Sequence, residues 1–83
     1  MIITLNSLIL AATHFIVLHN PQGQEVDINT REISSIREVR RDAKEHFAKG
    51  TSCLVVMTNG HINTVVEDCA AIRTMIEVIE RGD

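Results

Sequence analysis

The alternation of apolar and polar positions is clearest between Cys53 and Glu67. Cys53-Leu-Val-Val-Met57 and Ile62-Asn-Thr-Val-Val66 are strand-like runs joined through Asn59-Gly60. Asn and Gly tolerate positive φ best, so this pair between β-branched runs predicts a hairpin closed by a two-residue type I′ turn. Leu54 and Val56 fall on one face of the first run, Cys53, Val55 and Met57 on the other. A strand apolar on both faces is covered on both. Asp68 stands at an N-cap position, where its carboxylate can accept from the free amides of a first helical turn. Ile72, Met75, Ile76 and Ile79 then recur at i, i+3, i+4 and i+7, which predicts a helix over 69–81. Arg73, Glu77, Glu80 and Arg81 lie outside the stripe, and Gly82 ends it.

An earlier hairpin is written in the same terms. Phe15-Ile-Val-Leu18 reads as a strand, Asn20-Pro-Gln-Gly23 as a turn with Pro second and Gly last, and Glu25-Val-Asp-Ile-Asn29 as an alternating strand. Val26 and Ile28 should face the core. The middle of the chain supports two readings. Ile33, Ile36, Val39, Ala43 and Phe47 recur at helical spacing, with Gly50 as the cap. The competing reading is a turn at 29–32, a strand from about Ser34 to Arg40, and an extended excursion, or two halves that differ. Both put Ile33 and Ile36 in the core. Residues 2–5 and 8–18 are rich in β-formers and fit one strand, two, or a short helix running into a strand, and Leu8 to Ala12 is too short an apolar run for a membrane span or a convincing signal core.

Composition changes this picture in one respect. The 83 residues make one domain, with an N-terminal apolar extension (1–14), a β-domain (15–67) carrying an insertion near 40–50, and a C-terminal helix (68–82). A chain of this length builds a thin core, yet 45% of its residues are hydrophobic. Part of that surplus is expected between subunits, so a homo-oligomer follows. The two aromatics, Phe15 and Phe47, are assigned to the core. Ile2, Ile3, Leu5, Leu8 and Leu10 are the candidate partner contacts, because an apolar N-terminal strand is an aggregation liability unless it pairs along a neighbour's sheet edge.

Charge does little to name a partner. The net charge is −3, and six of the eight bases lie between Arg31 and Lys49. Four acids are interleaved there, so that segment carries only +2 and the rest of the chain −5. Mixed-sign runs of this kind are usually solvated faces. Nucleic-acid binding through Arg37, Arg40, Arg41 and Lys44 is the alternative reading, in a phosphate-contacting mode without Tyr or Trp for base stacking.

Candidate chemistry is sparse. His14, His19, His46 and His61 have no metal-ligand spacing and read as surface histidines, with His19 and His61 next to turns. Two cysteines without a secretory signal read as reduced thiols of a cytoplasmic protein. Cys69 falls at the first helical position, but no base is nominated to activate it, and it is expected to be a buried structural cysteine. Glu25/Asp27 and Glu67/Asp68 fall at exposed positions with no apolar pocket. The glycines are isolated turn or cap residues, with no phosphate loop. No catalytic residue, cofactor or metal is assigned, and the chain reads as a non-enzyme.

Phe15-Ile-Val-Leu-His-Asn-Pro-Gln-Gly23, Val26-Asp-Ile-Asn29, Ile33-Ser-Ser-Ile36, Cys53-Leu-Val-Val-Met-Thr-Asn-Gly60 and Val65-Val-Glu67 occur in the order of features of one known family. From Phe15 to about Ile79 the chain resembles the FlbD/SwrD family of small flagellar and swarming-motility proteins. It departs from them in its N-terminal 14 residues and in a longer Arg40 to Gly50 connection. The resemblance implies a non-enzymatic accessory protein of the bacterial cytoplasm, with no catalytic residues to carry over. The Gly-turn, strand and acidic helix start are also similar to the DNA-binding domain of LytTR regulators, and the strand count to Sm-like barrels.

The expected architecture is mainly β with a C-terminal helix: a small SH3/Sm-like partly open barrel, or a curved antiparallel sheet, of about five strands. The expected function is that of an oligomeric interaction or adaptor protein, motility-related on the resemblance.

Overall fold

A computed structural model describes residues 14–40 and 47–81 of the chain. They form five strands and a helix: β1 (Phe15–His19), β2 (Glu25–Asn29), β3 (Ile33–Glu38), β4 (Cys53–Met57), β5 (Ile62–Val65) and α1 (Cys69–Glu80). A 3-10 turn, Thr30–Glu32, links β2 to β3. Two antiparallel sheets result, one of order β1-β2 and one of order β3-β4-β5. Among the described residues the ladders do not close into a barrel. Just past the end of β5, the Val66 N–H donates to the His19 carbonyl at the end of β1 at 2.9 Å.

Both hairpin turns use a glycine in the left-handed region. At the first, the Gly23 N–H donates to the Asn20 carbonyl at 2.9 Å, and Gly23 has φ of 85°. The Asn20 carboxamide oxygen accepts from the Gln22 and Gln24 amides, pinning the turn from its first residue. At the second, the Gly60 N–H donates to the Met57 carbonyl and the Met57 N–H to the His61 carbonyl. The loop is therefore Thr58-Asn59-Gly60, one residue longer than the two-residue I′ turn expected from Asn59-Gly60. Asn59 keeps negative φ and only Gly60, at 89°, is left-handed. This is the pattern of a three-residue loop, a turn followed by a glycine bulge. The Asn59 side chain instead accepts from the His61 N–H at 2.9 Å.

The middle of the chain resolves in favour of a strand. Asn29 caps the 3-10 turn by accepting from the Arg31 N–H, and β3 then runs to Glu38, two residues short of the expected Arg40. The helical alternative fails over Ile33 to Glu38 because those residues pair with β4, with a register shift between Ile33 and Ser35. Ala43 lies outside the described residues. Phe47 to Gly50 are irregular, with the Thr51 N–H and hydroxyl both donating to the Ala48 carbonyl.

The core consists of Ile16, Leu18, Ile28, Cys53, Val55, Val65, Cys69 and Ile72. Val26, Ile33, Ile36, Met57, Met75, Ile76 and Ile79 are partly buried against it. Helix α1 starts as expected, with Asp68 accepting from the Ala71 N–H at 2.7 Å, and its stripe packs inward with Ile72 fully buried. Two expectations are corrected here. Phe15 is on the outer face, since strand alternation gives the inner positions to Ile16 and Leu18. The cysteines are not free thiols: Cys53 and Cys69 form a disulfide with Cα atoms 5.3 Å apart. Cys53 is the cross-strand partner of Val65, and the short connection from Val65 to α1 carries Cys69 back over it.

Candidate functional site

The outer face of β1 carries Phe15 and Val17, which are 49% and 48% exposed. Their cross-strand partners on β2 are Asn29 and Asp27, so the apolar pair sits beside polar neighbours. Ile62, at the start of β5, and Val66, which is bonded to the end of β1, are also exposed. Single exposed apolar residues are ordinary on a protein surface. Two on one strand face of a two-stranded sheet are the apolar surface that this small core leaves over.

The β1–β2 hairpin is held to the rest of the molecule at His19. The Glu67 carboxylate accepts from the His19 backbone N–H at 2.9 Å with one oxygen and contacts His19 Nδ1 at 2.7 Å with the other. With the Val66–His19 bond, this makes a three-point clasp between the end of β1 and the β5–α1 connection. Partial burial pushes the Glu67 carboxyl up, but the His19 ring and backbone bonds and Glu67's own backbone outweigh it. The net effect holds the group below its ordinary value. The sequence places both His19 and Glu67 at exposed positions; in the fold they are partly buried against each other. They are 48 residues apart, and nothing local marks the pairing.

Toward the other end of β1, a shallow groove of about 340 Å³ runs between the β1–β2 hairpin and the β4–β5 loop. Phe15, Val26 and Met57 give it an apolar wall, and Asp27, Glu32 and His61 a polar rim. Glu32 is engaged, accepting from the Thr58 hydroxyl at 2.7 Å and, through its carbonyl, from the Thr58 N–H at 2.8 Å. These bonds set the β4–β5 loop against the 3-10 turn. Among the described residues, no cluster of His, Cys, Asp or Glu has the geometry to hold a metal ion. Nor is any helix among them long and apolar enough to cross a membrane.

The sequence-predicted contacts divide unevenly. Ile2, Ile3, Leu5, Leu8 and Leu10 lie outside the described residues, as do Arg41 and Lys44. Arg37 is exposed on β3 and Arg40 is exposed just beyond its end. Nearby, the Arg73 guanidinium on α1 reaches the Ile36 carbonyl at 3.4 Å. The sequence reading places Phe15 in the core and Val17 simply in a strand. Their outward role could have been found by carrying the alternation of β1 through to its consequence, since Ile16 and Leu18 complete the inner face. Comparisons with protein-family models, with curated proteins and with solved structures found no match to this chain.

Proposed function

We propose that the chain is a non-enzymatic oligomeric interaction module, an adaptor that assembles through apolar strand surfaces. The observation that carries this reading is the outward pair Phe15 and Val17 on a strand whose sheet has two members among the described residues. Ile2, Ile3, Leu5, Leu8 and Leu10 precede that strand in the chain and extend the same apolar supply, so they are the proposed partner contacts. A strand that pairs with a neighbour satisfies its own edge and covers its apolar face at once. The same proposal takes the two sheets as the opened halves of a small SH3/Sm-like barrel, meeting where Val66 bonds to His19. The proposed setting is the bacterial cytoplasm and a motility-related accessory role, on the resemblance to the FlbD/SwrD family.

The test is molar mass by light scattering after gel filtration at low and high salt. The expected result is a mass above the monomer that salt does not change, because apolar contacts are not screened. Phe15→Glu with Val17→Glu, and separately Leu8→Asp with Leu10→Asp, should each shift the protein to monomer without loss of its far-ultraviolet spectrum. A monomer at every concentration overturns self-assembly. Oligonucleotide retention at low salt, lost in Arg37→Glu with Arg40→Glu, would replace it with the nucleic-acid reading.

A further inference from the structure

We propose that the Cys53–Cys69 disulfide is a redox latch on the unit formed by β4, β5 and α1. Closed, it pins the first residue of α1 to the central strand of the three-stranded sheet; opened by a small dithiol, it lets the helix undock. This stands apart from the assembly reading and concerns the monomer.

Position is the first argument. Cys69 is the first residue of α1, and the helix docks through Ile72, Met75, Ile76 and Ile79. Undocking it withdraws Cys69 and Ile72 from the buried cluster that also holds Val55 and Val65. The latch therefore governs access to the apolar core itself.

Loop length is the second. The two cysteines are 16 residues apart, but Cys53 already faces Val65 across the β4–β5 ladder. While that hairpin stays paired, the disulfide closes an effective loop of only about four residues, and loop-closure entropy then makes helix undocking about twentyfold rarer. If the hairpin opens as well, the loop is about 15 residues and the factor rises to about a hundredfold. Reduction thus acts on α1 first and on the hairpin beneath it more strongly. The β1–β2 hairpin lies outside the closed loop; it meets this unit through the His19–Glu67 clasp and through Ile16, Leu18 and Ile28 in the common core.

Access is the third. The sulfurs belong to core residues, Cys53 at 0% and Cys69 at 2% exposure, so exchange waits on an opening of the first turn. Beside that turn is a surface depression of about 340 Å³ bordered by Glu38, Ser52, Asp68, Cys69 and Ala70, which brings solvent to the start of the helix. A reductant thiolate attacks one Sγ, the S–S bond breaks, and the other Sγ leaves as a thiolate and takes a proton. The second thiol of the reductant then displaces the first cysteine. The reductant ends as a cyclic disulfide and the chain as two thiols, with two electrons and two protons transferred.

Native-state hydrogen exchange of the full chain, oxidised and then reduced with dithiothreitol, tests this. Amides of α1 should exchange about twentyfold faster after reduction, those of β1 and β2 should keep their protection, and reoxidation should restore the first pattern. Cys53→Ala with Cys69→Ala should show the reduced pattern in either buffer. If that variant does not fold, the reduced wild type decides alone. Equal exchange of α1 in both redox states overturns the latch, as does an equal acceleration of every element, which would make the disulfide a staple of the whole fold.

Discussion

The two hairpins of this molecule are built alike and held differently. Each turns on a glycine in the left-handed region and an Asn whose side chain accepts from the backbone of its own loop. The β4–β5 hairpin is then paired with β3, capped by α1 and crosslinked to it. Among the described residues, β1–β2 has no third strand; its inner face joins the common core and its end is clasped at His19. Local turn chemistry thus makes hairpins of equal standing, and long-range contacts decide which becomes the stable unit. The less enclosed hairpin exposes two apolar residues, Phe15 and Val17, on one strand face, whereas Ile62 on β5 and Val78 on α1 are exposed singly.

The largest effect on this comparison should come from Ile72→Ala. It empties a fully buried position at the junction of helix and sheet and is expected to cost about 2–5 kcal/mol in urea unfolding. If the second hairpin is the stable unit, the protection of its amides should fall with global stability. An effect below about 1 kcal/mol would place the molecule's stability elsewhere.

Glu67→Gln addresses the first hairpin. Loss of the charge-assisted contacts to His19 should cost about 1–2 kcal/mol, discounted for the exposure of the pair, and should loosen β1–β2 before α1. The pH dependence has a definite sign. Because the folded Glu67 carboxyl titrates below its ordinary value of 4.5, its contribution is fully present above that value and is lost as pH falls through the lowered folded value. The Gln variant should flatten that acid limb; an unchanged limb would assign it to other carboxylates. Asp68→Ala is the mildest change. Removing the cap on Ala71 should cost about 1 kcal/mol and speed exchange in the first turn of α1, with β1–β2 untouched.

Much of this frame was legible before any coordinates. The alternation in Glu25 to Asn29 and Cys53 to Met57, the Asn20 to Gly23 turn and the stripe on α1 all report local geometry, and each of these elements forms where those residues place it. The strand at Ile33 to Glu38 was not separable from a helix, because Ile33 and Ile36 satisfy both periods and only pairing with β4 decides between them. The second turn was misjudged by one residue because Asn59-Gly60 fits a two-residue loop as well as a three-residue loop in which Gly60 alone takes positive φ. The disulfide and the His19–Glu67 clasp were not legible at all. Both join residues that only the topology brings together, and a Cys or Glu carries no local mark of its distant partner.

Whether the outward face of β1 serves assembly is read from molar mass in solution. A species larger than the monomer is expected at low and high salt alike, reduced to monomer by Phe15→Glu with Val17→Glu while the β4–β5–α1 unit keeps its exchange protection. A wild-type protein that runs as a monomer across the accessible concentration range, with the double variant indistinguishable from it, would contradict assembly through that face.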